Sequence, residues 1–121
     1  MHPVTQVGID LLEIARLERA IGRRPGLAAR LFTPAELDWA SERARPAQHL
    51  AARFCAKEAA SKALELDVLR PLDFEVLTSP SGAPRLRLSG VAARRAEEAG
   101  LSLSCSLTHS RGMAGAVVVA G

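Results

Sequence analysis

Residues 50–64, LAARFCAKEAASKAL, contain neither glycine nor proline and are rich in alanine, so they predict a strong helix. At about 100° per residue, Leu50, Ala51, Phe54 and Cys55 share one apolar arc. Glu58 falls within that arc, and Lys62 lies beside it one turn on. Two readings of Glu58 follow. An inward carboxylate is costly to desolvate unless it is paired or bound to a metal. Alternatively, Glu58 and Lys62 form an i,i+4 ion pair on a solvated edge.

Around this helix the pattern alternates between periods. Residues 4–9 predict a strand, and residues 11–21 a helix with Leu11, Ile14, Leu17, Glu18 and Ile21 near one face and Gly22 as its breaker. Asp10 stands between them, either capping that helix or serving as a ligand. Residues 26–32 predict a short helix. Thr33-Pro34-Ala35-Glu36 is a capping box with proline at the first helical position, opening a helix to about Arg43 that half-buries Leu37 and Trp39. After the central helix, residues 72–78 and 85–88 flank the turn Ser79-Pro80-Ser81-Gly82 as a hairpin. Residues 90–98 predict a helix ended by Gly100. Leu101, Leu103, Cys105 and Leu107 alternate with Ser102, Ser104, Ser106 and Thr108, a half-buried strand, and residues 113–119 close the sheet. The expected fold class is α+β, early helices packed on a mainly antiparallel sheet, in one domain spanning residues 1–121.

Composition narrows the class. A chain of 121 residues suits one modest core, with 48% hydrophobic and 24% charged residues. No apolar run approaches a membrane span, and the first six residues lack the basic and apolar regions of a signal peptide. Cys55 and Cys105 sit in apolar patterns and give no disulfide framework, so the expectation is a cytoplasmic protein with reduced thiols. The net charge of +3 favours an acidic partner. Only 3% of residues are aromatic and no nucleic-acid motif is present, which argues against a nucleic-acid partner.

Asp10 and Glu58 are two carboxylates able to bind a hard cation such as Mg²⁺ while leaving positions for a phosphate. The sequence also resembles a known family. Gly8-Ile9-Asp10-Leu11-Leu12-Glu13-Ile14, Phe32-Thr33-Pro34-Ala35-Glu36-Leu37, residues 50–59 and Ser106-Leu107-Thr108-His109-Ser110 occur in an order similar to that of the holo-acyl-carrier-protein synthases, the small stand-alone 4′-phosphopantetheinyl transferases. The resemblance implies transfer of phosphopantetheine from coenzyme A to a serine of apo-acyl carrier protein. It implies Mg²⁺ held by Asp10 and Glu58, with Glu58 the candidate base and Lys62 near the phosphates. Arg53 and His109 become coenzyme contacts, with Arg43 and Arg45 as weaker candidates. Arg16, on the first helix, and Arg23 and Arg24, in the turn after it, match the surface that docks the carrier's acidic helix. A homotrimer is implied by resemblance only.

Two departures stand out. Ala52-Arg53-Phe54 replaces the family's Gly-Arg-Phe. After Lys62-Ala63-Leu64 the family continues with a glycine-rich loop beside the coenzyme, whereas this chain has Glu65-Leu66-Asp67-Val68-Leu69. That acidic connector motivates an alternative, a non-catalytic homologue that binds the carrier but has lost productive coenzyme binding.

Overall fold

The computed structural model describes residues 5–121. The elements run β1 (Gln6–Glu13), α1 (Ile14–Arg23), α2 (Leu27–Leu31), α3 (Pro34–Ser41), α4 (Pro46–Ala63), a 3₁₀ turn (Pro71–Asp73), β2 (Phe74–Thr78), β3 (Pro84–Leu88), α5 (Gly90–Ala99), β4 (Leu103–His109) and β5 (Met113–Ala120). The α+β expectation holds. The strands form two antiparallel sheets, a three-stranded one in the order β1-β5-β4 and the hairpin β2-β3.

α4 lies against both sheets, and its burial differs from the amphipathic pattern read from the sequence. Leu50, Ala51, Ala52, Cys55, Ala56, Ala59, Ala60 and Ala63 are all buried, so most of the helix circumference is covered. Short alanine side chains let neighbours close over several faces at once. Phe54 and Glu58 lie on the remaining, less buried stripe, with Lys62 exposed one turn further on. The closest approach is to β1: a Cβ added to Gly8 would fall 1.8 Å from the Ala59 carbonyl oxygen. Only a residue without a side chain lets strand and helix meet there.

β1 also runs further than the periodicity predicts. Asp10 is paired with Ala116 inside the strand, and α1 starts at Ile14, so Asp10 is not a helix cap. Its side chain lies on the same face of the strand as that of Leu12 and as the Gly8 Cα position that meets Ala59, toward α4. Val4, the expected start of the strand, lies outside the described residues. Gly22 falls within α1 instead of ending it.

The capping box is present as read. The Glu36 amide donates to Thr33 Oγ1 and the Thr33 amide to Glu36 Oε1. Glu36 also does something the motif does not predict. Lys57 of α4, fully buried, donates from Nζ to Glu36 Oε1 at 2.7 Å and to the Pro71 carbonyl at 3.0 Å. The Val76 amide donates to Glu36 Oε2 at 2.9 Å. Thr33 Oγ1 donates to Glu75, which in turn pairs with Arg87. One polar network thus ties α3, α4 and the hairpin together.

Candidate active site

Glu58 and Asp10 reach the site from different elements, and the Gly8–Ala59 contact sets their spacing. Both line a groove of about 340 Å³ whose other walls include Arg16, Leu17, Leu27 and Phe54. Burial first, and then the neighbouring charge of Asp10, push the Glu58 carboxyl above its ordinary range, with Lys62 opposing. Lys62 does not form the i,i+4 ion pair with Glu58. Its Nζ reaches across to β1, donating to the Ile9 carbonyl at 3.0 Å and to Asp10 Oδ1 at 3.4 Å. The three residues therefore form one cluster of two acids and a cation at the mouth of an apolar-walled groove. A carboxyl pushed up in part by a neighbouring carboxylate, as Glu58 is by Asp10, suits a divalent cation, which would relieve the repulsion.

The expected coenzyme contacts do not all lie there. Arg53 is buried, donates from Nη2 to Thr78 Oγ1 at 2.8 Å, and stacks 3.7 Å from the centre of the Trp39 ring. Its Nε has no hydrogen-bond partner. His109, at the exposed end of β4, packs against His49 with ring centres 5.7 Å apart. Lys62 thus belongs to the acidic end of α4, while Arg53 and His109 lie toward its first turns. Arg45 and Arg111 join His49 and His109 around a second recess. His49, Arg111, Gly8 and the Glu36–Lys57 pair were not singled out from sequence. A lone histidine in a helix or a lysine beside a carboxylate carries no periodic signal; their roles arise from residues far away in the chain.

Arg16, Arg23 and Arg24 are exposed. Arg16 also lines the groove that contains the acidic pair, so a partner docked on α1 would lie next to it.

The sequence profile of the 4′-phosphopantetheinyl transferase superfamily matches residues 6–118. This chain belongs to that superfamily. A holo-[acyl-carrier-protein] synthase of Moorella thermoacetica is 44% identical over 117 residues, covering 94% of this chain and 91% of the relative. One of Streptomyces avermitilis is 49% identical over 116 residues, covering 94% of each. Among solved structures, the Helicobacter pylori holo-[acyl-carrier-protein] synthase in complex with coenzyme A aligns with a TM-score of 0.82 at 33% identity, over 95% of this chain and 99% of that one.

The superfamily's phosphopantetheinyl transfer chemistry bears on the connector after α4. Glu65 has φ +56°, the left-handed conformation that glycine adopts without cost. The Leu66 amide donates to the Ser61 carbonyl, closing the helix as a Schellman motif. Glu65 therefore keeps a glycine-like backbone, and its carboxylate lies 3.9 Å from Arg95 of α5.

Proposed function

We propose that this chain transfers 4′-phosphopantetheine from coenzyme A to a serine hydroxyl of apo-acyl carrier protein, with Mg²⁺ and with release of adenosine 3′,5′-bisphosphate. The observation that carries the reading is the Asp10–Glu58 pair at the mouth of the groove, on the two positions where the superfamily resemblance expects metal ligands. The donor set fits Mg²⁺, which takes one or two carboxylates and completes its octahedron with phosphate oxygens and water. When bound between Asp10 and Glu58, the ion would supply Lewis acidity to the pyrophosphate and a fixed position for it.

The chain's own residues do the rest. Glu58, with its raised proton affinity, accepts the proton of the carrier serine as the hydroxyl oxygen bonds to the β-phosphorus. The bond from that phosphorus to the bridging oxygen breaks, and the leaving bisphosphate departs with the electron pair. Lys62 is largely exposed and free to swing from Asp10 toward that developing charge. Arg16, Arg23 and Arg24 attract the acidic carrier and orient its serine over the groove.

The exposed outer face of the three-stranded sheet supports self-association, which the family resemblance makes a homotrimer. Val7, Ile9 and Leu11 are 60%, 63% and 66% exposed, and Val119 and Met113 lie on the same face of the paired strands. An apolar strip of this kind is a subunit interface in search of its partner. No helix among the described residues is long and apolar enough to cross a membrane. With free Cys55 and Cys105, this suits a cytoplasmic enzyme.

The test is to incubate the protein with apo-carrier, coenzyme A and Mg²⁺ and weigh the carrier. A gain of one phosphopantetheine, lost with EDTA and in Asp10→Asn, is expected. Carrier binding without that gain would favour the non-catalytic alternative instead.

A further inference from the structure

The connector after α4, Glu65-Leu66-Asp67-Val68-Leu69-Arg70, places two carboxylates just past Lys62. Leu64 is fully buried, and Leu66 and Leu69 pack against the same core cluster. These anchors turn the polar positions between them outward, and Glu65 is exposed. Its amide donates to the Lys62 carbonyl at 3.0 Å, so the connector begins at the backbone of the residue that faces the acidic pair. A pyrophosphate drawn to the Lys62 ammonium would lie on the order of 10 Å from the Glu65 carboxylate, a distance over which like charges repel at low salt.

α5 grips both ends of this connector. At the exit, the Asp73 carboxylate accepts from the Val91 amide at 3.0 Å and from the Ala92 amide at 3.4 Å. A Cβ on Gly90 would lie 2.8 Å from that carboxylate, so the start of the helix sits tight against it. At the entry, Arg95 Nε donates to the Leu64 carbonyl at 3.1 Å. That carbonyl belongs to the end of α4, where intrahelical donors run out and a cation meets the negative end of the helix dipole. Ala92 and Ala96 of α5 are buried, which fixes the direction from which Arg95 arrives. From this anchored position Nη2 stands 3.9 Å from Glu65 Oε2. A free surface ion pair of that length would count for little, because holding two long side chains costs entropy. Here the cation is already held by a backbone carbonyl.

We propose that Arg95 is a positioning residue for coenzyme A: anchored on the Leu64 carbonyl, it offsets the Glu65 charge so that the acidic connector does not repel the pyrophosphate at Lys62. The inference rests on the transferase reading above and extends it. Acid and cation work as a unit. Removing the cation alone uncovers the acid, and removing both leaves position 65 neutral. Asp67, exposed beyond Leu66, keeps its charge in every variant and cancels in the comparison.

The experiment titrates coenzyme A with Mg²⁺ calorimetrically into wild type, Arg95→Met, Glu65→Gln and the double variant, at roughly 0.05 M and roughly 0.5 M salt. Arg95→Met keeps the apolar stem and removes the charge. At low salt it is expected to bind coenzyme A roughly 3- to 5-fold more weakly than wild type, and the difference should vanish at high salt, where the repulsion is screened. Glu65→Gln alone should stay within about 2-fold of wild type, and adding it to Arg95→Met should restore the affinity. The Tm separates this from a structural role: Arg95→Met also loses the Leu64 contact, and Glu65→Gln does not bring that back. In steady state the Arg95→Met loss should appear in KM for coenzyme A, with KM for the carrier unchanged. Wild-type affinity in Arg95→Met at low salt, a double variant as weak as Arg95→Met, or affinity regained only together with the lost Tm would overturn the proposal. If wild type modifies the carrier while any of these is seen, this inference alone fails. If wild type neither binds coenzyme A nor modifies the carrier, the transferase reading fails with it.

Discussion

Replacing Gly8 by alanine should damage stability and activity together, because one contact supports both. The new Cβ would lie 1.8 Å from the Ala59 carbonyl oxygen, so reaching the 3.4 Å of ordinary contact requires β1 and α4 to separate by about 1.6 Å. Neither partner yields cheaply: the obstructing atom is backbone in the middle of a helix, and β1 is paired along its whole length with β5. Overpacking of this kind costs about 1–3 kcal/mol and more where backbone must move, offset by under 1 kcal/mol from the less flexible unfolded chain. The expected net loss is about 2–3 kcal/mol, a fall in Tm of roughly 10 °C for a chain of this size. Asp10 sits two residues further along β1, and Glu58 and Lys62 flank Ala59 on α4, so the same displacement pulls the acidic pair apart. Misplacement by about 1 Å can cost 10²-fold in rate, and carrier modification at saturating coenzyme A should fall by at least that much. Thermal unfolding and carrier mass gain measure the two losses. Gly22→Ala is the control: nothing lies within 4 Å of its added Cβ, and its place inside α1 predicts a gain of about 0.5–1 kcal/mol. A Gly8→Ala protein melting within about 2 °C of wild type with unchanged transfer would refute the argument.

Glu58→Gln should abolish transfer yet leave the metal-free protein at least as stable as wild type at pH 7. The folded-state pKa of Glu58 is raised, so wild-type stability declines as pH rises from its ordinary value through the folded value, and glutamine removes that decline; thermal melts against pH would show a flatter curve. Lys57→Met should cost about 3–5 kcal/mol, since it strands a buried Glu36 carboxylate, and Lys57→Met with Glu36→Gln should recover a large part in denaturant unfolding. Arg16→Glu should weaken carrier binding and spare coenzyme binding, and raising salt should weaken the wild-type carrier interaction, both measurable by titration. Glu65→Gly should raise stability by up to about 1 kcal/mol by relieving the left-handed backbone, and should tighten coenzyme A binding if the connector's charge opposes the ligand. Equal or weaker coenzyme binding would show that this carboxylate is no handicap.

The local elements were legible in the chain because local chemistry dictates them. The Thr33–Glu36 capping box, the Gly100 stop after α5 and the alternation along β4 all appear where their residues predict. Asp10 and Glu58 stood out for the same reason, as acids interrupting apolar patterns. Boundaries and partners were not local. Asp10 reads as a helix cap until β5 pairs with it, because pairing a backbone between strands outweighs the pull of a following helical pattern. Lys62 reads as the i,i+4 partner of Glu58, yet β1 crosses within its reach and offers a carbonyl and a second carboxylate. α4 reads as amphipathic, but its alanines let the hairpin and the three-stranded sheet both close on it, leaving a narrow stripe for Glu58. Gly8, the Glu36–Lys57 pair and the His49–His109 recess carry no sequence signature, because each is a contact between residues 21 to 60 positions apart. The sequence by itself determined most of the helices and strands and singled out Asp10 and Glu58 as candidate acids. Tertiary packing decided which groups face one another, since distance and burial are properties of the assembled chain and not of any stretch of it.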